Sequence, residues 1–135
     1  MLENARVNIR VRLSALWTSV IFCYLYADYF ELYVPGKADS LLTGEHILDT
    51  PVKLLSASIV LAIPCLLIAL TVLLPATICR FLNILFGLLF TFMMLFIGIN
   101  SITEWYGFYV LYAFLESMLT IIIIWQAWRW PKADT

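Results

Sequence analysis

Apolar residues fall in four runs, each near the length that crosses a bilayer. The first covers 13 to 33 and is interrupted only by Asp28 and Glu31 toward its end. The second, 54 to 74, and the third, 81 to 100, carry no charge, and the fourth, 105 to 128, carries one, Glu116. About 20 helical residues at a rise of about 1.5 Å each traverse roughly 30 Å of hydrocarbon. The pattern therefore predicts an all-α integral membrane four-helix bundle, one domain over 1–135, with an outer loop at 34–52. Thr50 before Pro51 reads as an N-cap and first-turn proline of the second span. Pro64 near its middle predicts a kink, and Pro75 stops it. The stretch Pro75 to Arg80 and then Ser101 to Glu104 are short enough to force antiparallel hairpins. Within the outer loop, Pro35 and Gly36 form a turn, and Ala38 to Thr43 form one helical turn closed by Gly44.

Composition agrees. Hydrophobic residues make up 64% and charged residues 13% of the chain, against about 45 to 50% and 25% in soluble domains. A net charge of −1 argues against nucleic acid as a partner, since a phosphate-binding surface needs an excess of Lys and Arg. Cys23, Cys65 and Cys79 form no C-x-x-C pair and read as small buried hydrophobes. Arg6, Arg10 and Arg12 before an apolar run imitate a signal peptide, but no A-x-A-like site follows, so the first span is expected to be retained.

Charge in the loops sets an orientation. The side holding both termini collects Arg6, Arg10, Arg12, Arg80, Arg129 and Lys132, whereas the other side has Lys37 and Lys53 among Glu31, Asp39, Glu45, Asp49 and Glu104. By the positive-inside rule both termini are expected to be cytoplasmic. Trp17, Trp125, Trp128 and Trp130 on one side, and Tyr29, Tyr33, Trp105, Tyr106 and Tyr109 on the other, read as interfacial belts. His46 stands alone in the outer loop, which is a poor metal pattern; no metal or cofactor is expected.

Candidate chemistry centres on Glu116. An ionisable group near the bilayer centre costs about 2.5 to 3.5 kcal/mol on insertion scales and is usually turned inward. Glu116 lies about ten residues, or roughly 15 Å, inside Tyr106, at nearly the level of Pro64. Asp28 lies roughly 22 Å from Leu13, in the outer leaflet. Helical spacing puts Trp17, Ile21, Tyr24, Asp28 and Glu31 on one face of the first span, and Tyr109, Tyr112, Glu116 and Thr120 on one face of the fourth. If those faces meet, Tyr24, Asp28, Tyr109, Tyr112 and Glu116 line an acidic, tyrosine-rich cleft opening outward. Every Lys and Arg lies outside the spans or at their edges, so a neutral, protonated carboxyl is the least costly state for Glu116. It would donate a hydrogen bond to a tyrosine or to the carbonyl freed by Pro64. Asn83 and Asn100 are expected to cap or bond across helices, and Ser56, Ala57, Ser58, Gly87 and Gly98 to permit close helix approach.

Two segments carry a family likeness. They are Leu13-Ser14-Ala15-Leu16-Trp17 with Tyr24-Leu25-Tyr26-Ala27-Asp28, and Tyr112-Ala113-Phe114-Leu115-Glu116 with Thr120 through Trp130. With Ile63-Pro64 and Arg80-Phe81-Leu82-Asn83, they resemble a family of small four-span bacterial membrane proteins known only as a domain of unknown function. The resemblance implies a multi-pass protein of the bacterial cytoplasmic, or inner, membrane. The family often has an acid just before the Ile-Pro pair, where this chain has Ala62, so no role of that acid transfers. A looser likeness, in span count and hairpin lengths, links the chain to DoxX-type four-helix membrane proteins.

Three functions compete. The first is a small module that binds an apolar or cationic small molecule, such as a lipid or quinone, in the proposed cleft. The second is a structural or accessory subunit whose polar residues join a homo-oligomer or a partner membrane subunit, and the third a proton- or cation-coupled transporter. An enzyme is not expected, because metal-spaced His/Cys clusters, a Gly-rich phosphate loop and a Ser–His pairing are all missing from the sequence.

Overall fold

The computed structural model describes residues 2 to 131; Lys132, assigned above to the basic side, lies outside them. The described chain is all-α, with helices α1 (Ile9–Glu31), α2 (Lys37–Thr43), α3 (Pro51–Leu73), α4 (Ala76–Asn100) and α5 (Gly107–Trp128), the last preceded by a 3-10 turn at Glu104–Tyr106. Four long helices form the bundle. Helix α1 packs against α3 and α5, and α4 packs along α5, but α3 and α4 touch each other little although only two residues join them.

Helices α1, α3 and α4 start earlier than the apolar runs suggested, and side-chain caps set the starts of α1 and α3. The Asn8 side chain accepts from the Arg10 amide at 2.8 Å, which begins α1 one turn before Leu13. Thr50 caps α3 with Pro51 at its first position, as read from the sequence. Helix α4 starts directly after Pro75, so most of the expected Pro75 to Arg80 turn is helical. In the segment between α1 and α3, Gly36 and Gly44 both have φ of +81° and bracket α2, a backbone conformation that suits glycine.

The bundle has an apolar core, an apolar outer surface and several buried polar side chains. Phe92, Phe96, Ile99 and Phe114 are all at least 60% exposed, while Asn83, Thr91, Glu116, Ser117 and Thr120 are buried. In water this outer surface would be a severe aggregation liability; against hydrocarbon it costs nothing. Three helical segments, Pro51–Leu73, Ala76–Asn100 and Glu104–Trp128, are long and apolar enough to cross a membrane. Helix α1 is as long, but Arg10, Arg12, Asp28, Glu31 and its tyrosines lower its apolar character.

The start of α1, the end of α5 and the α3–α4 turn meet at one end of the bundle. Arg12 donates to Gln126 Oε1 at 3.1 Å. Arg80 caps the C-terminus of α5, donating to the carbonyls of Ala127 at 3.1 Å and Trp128 at 3.2 Å. Arg10, Arg80 and Arg129 lie over the rings of Trp130, Trp128 and Trp125. Arg10 also donates to the Thr71 and Leu74 carbonyls, a cation set against the negative end of the α3 dipole.

Several expectations change. Trp17, read as a belt residue, is 0% exposed and belongs to the core, because the earlier start of α1 carries it a turn deeper. Cys65 is exposed, so only Cys79 among the cysteines is a fully buried one. Gly87 and Gly98 do sit where α4 and α5 approach closely: an added Cβ would lie 2.7 Å from Ile124 Cγ1 and 3.0 Å from Ala113 Cβ. Ser56 and Ser58 are exposed and mediate no helix approach. Asn100 is exposed and donates to Phe96 of its own helix at 2.8 Å.

Candidate functional site

A cavity of about 410 Å³ lies in the half of the bundle next to the loop that joins α1 to α3. Its position follows from the packing: α3 and α4 stay apart, and α1 and α5 close the back. Tyr24 and Asp28 of α1 and Tyr109 and Glu116 of α5 supply its polar lining. Ala57, Val60 and Leu61 of α3, Met93, Met94 and Ile97 of α4, and Ile47 and Leu48 of the loop complete the lining.

Spacing explains which α5 residues arrive there. Tyr109 and Glu116 are separated by seven residues, two helical turns, and share a stripe. Tyr112 is rotated about 60° from Tyr109, and its ring stacks on Phe30 of α1 at a centroid distance of 6.4 Å. Tyr112 is therefore outside the lining, and four of the five expected residues converge. Glu116 lies about 14 Å from the start of α5 and about 18 Å from its end, near the middle of the bundle's long axis.

No Lys, Arg or His is among the residues that line this cavity. Glu116 is 2% exposed, and the hydrogen bond it accepts, from Thr120 Oγ1 at 3.1 Å, uses its backbone carbonyl. Among the described residues the ion pairs are Lys37 with Glu31 at 3.1 Å and Lys53 with Asp49 at 3.0 Å. Asp28 and Glu116 thus face one cavity with no cation. Glu31, expected on the same face of α1, is instead held by Lys37 and by the Tyr106 hydroxyl, which donates to Oε1 at 3.2 Å. That contact ties the loop between α1 and α3 and the 3-10 turn to the end of α1.

One further polar group is left over at the cavity. Tyr24 is 7% exposed, and its hydroxyl is buried without a hydrogen-bond partner, an arrangement uncommon enough in folded proteins to need a cause. Pro64 has no N–H, so the carbonyl of Val60, four residues back, lacks its helical donor.

Below the cavity, toward the basic end, the buried polar groups are satisfied. Trp17 Nε1 donates to Asn83 Oδ1 at 2.7 Å, and Asn83 Nδ2 donates to the Cys79 carbonyl at 2.7 Å and to Thr71 Oγ1 at 3.3 Å. Cys79 Sγ donates to the Leu74 carbonyl at 3.2 Å, and Ser14 Oγ to that of Ile68 at 2.8 Å. The contrast singles out the cavity as the one polar region of the described interior with unmet valences. The apolar wall residues gave no signal in the sequence, because nearly every position of α3 and α4 is apolar and none stands out by type.

No curated protein and no solved structure matches the chain. Its family, in contrast, is defined along nearly the whole length. The chain belongs to DUF6326, a family of unknown function that matches residues 3–135.

Proposed function

We propose that this protein is a four-span, multi-pass protein of the bacterial cytoplasmic membrane, with both termini cytoplasmic, that binds an apolar or cationic small molecule in the cavity between α3 and α4. Support for the fourth span comes from α1 being packed between α3 and α5 and from its apolar outer residues Phe22 and Leu25. Support for the orientation comes from the arginines gathered at one end, since cytoplasmic loops are enriched in Lys and Arg. One observation carries the binding reading: Tyr24, Asp28, Tyr109 and Glu116 converge on a single cavity of the size class, about 300 to 1,000 Å³, used for small molecules.

The test is a titration of 3-fluorotyrosine-labelled protein in nanodiscs with adamantan-1-amine and adamantan-1-ol, compact apolar probes with and without charge. Saturable fluorine shifts at Tyr24 and Tyr109, with Tyr33 unmoved, are expected for at least one probe. Unmoved signals at both residues would leave the structural-subunit reading in its place.

A further inference from the structure

Resting on that reading of the cavity, we infer that the ligand is a protonated lipophilic amine carrying N–H donors. Its ammonium lies between Asp28 and Glu116, and its apolar body lies against Leu61, Met93 and Ile97.

The inventory of donors and acceptors selects this class. Two carboxyls line the cavity, and only the two phenol hydroxyls, of Tyr24 and Tyr109, can donate without a proton on a carboxyl. An anion finds no positive group there. A quaternary ammonium brings charge but no donor, and an alcohol brings a donor but no charge. A primary ammonium supplies three N–H donors and a unit charge, and charge-assisted hydrogen bonds to carboxylates are roughly twice as strong as neutral ones. Tyr24 and Tyr109 add aromatic faces for the cation and a hydroxyl, on Tyr24, with no other partner. The remaining wall is aliphatic or thioether, which suits a hydrocarbon body. The two helices α3 and α4, which both line the cavity, pack little on each other.

A matched series tests it: adamantan-1-amine, its N,N,N-trimethylammonium analogue and adamantan-1-ol, each titrated against fluorotyrosine-labelled protein in nanodiscs at constant ionic strength. The amine is expected to bind at least tenfold more tightly than either relative. Glu116→Gln and Asp28→Asn are each expected to weaken the amine at least fivefold while changing the alcohol by less than twofold. Asp28 is exposed, so its variant tests the idea without risk to the fold. Equal affinity for the amine and the alcohol, or for the amine and the quaternary analogue, overturns the inference and leaves the cavity reading standing. Absence of a saturable shift at Tyr24 and Tyr109 with all three probes overturns both.

Discussion

The indole N–H of Trp17 donates to the side-chain oxygen of Asn83 at 2.7 Å, and both residues are fully buried. This bond joins α1 to α4 across the bundle core, beside the contacts of Trp17 and Tyr24 with the Phe90 ring. Replacing Asn83 with Ala removes the acceptor of Trp17 and the donor to the Cys79 carbonyl and Thr71 Oγ1 together. A buried group left unpaired costs about 1 to 3 kcal/mol. Asn83→Ala is expected to lower unfolding free energy by that amount in micelles, as measured by denaturant titration of Trp fluorescence.

Close approach of α4 and α5 yields a second prediction. A Cβ at position 87 would sit 2.7 Å from Ile124 Cγ1, so the Ile124 side chain or the helix must move. Overpacking costs about 1 to 3 kcal/mol. Gly87→Ala is expected to destabilise within that range, and Ile124→Ala in the same chain to recover part of the loss. A double-mutant cycle should show coupling of about 0.5 kcal/mol or more, the least usual for residues in contact.

At the basic end, Arg10 satisfies carbonyls that the end of α3 leaves open. Hydrogen bonds to a charged group contribute about 1.5 to 3 kcal/mol. Arg10→Ala is expected to speed amide hydrogen exchange in the last turn of α3 more than tenfold while leaving the middle of α5 unchanged. Uniform acceleration in both helices would show instead that Arg10 holds the whole bundle.

How much of this was legible in the chain varies with the physical signal. Helix α3 could be read almost to the residue, because Thr50 and Pro51 mark its start chemically and Pro75 its end. The early start of α1 was not, since Asn8 stands among polar residues that look like a tail until its cap bond to Arg10 is seen. Tyr24, Asp28, Tyr109 and Glu116 could be grouped because polar residues inside apolar runs report their own faces. Tyr112 was grouped with them because three residues along a helix still count as one face, and only the contact with Phe30 resolves the difference. Arg10 looked like a topology signal, and its bonds to α3 depend on a long-range packing that no local pattern encodes. The cavity's apolar walls were invisible for the opposite reason: in a lipid-facing helix, residues that line a pocket and residues that face hydrocarbon are of the same kind.

The most direct measurement compares the native protein with Ala57→Phe. Ala57 is half-buried in the α3 wall of the cavity, and a phenyl ring there fills space without touching the charge of Asp28 or Glu116. Adamantan-1-amine should shift the Tyr24 and Tyr109 fluorine signals saturably in the native protein. In Ala57→Phe, with an unchanged unfolding midpoint, it should shift neither. Equal titrations in the two proteins would contradict the account, because the probe would then be binding somewhere other than the space these four residues enclose.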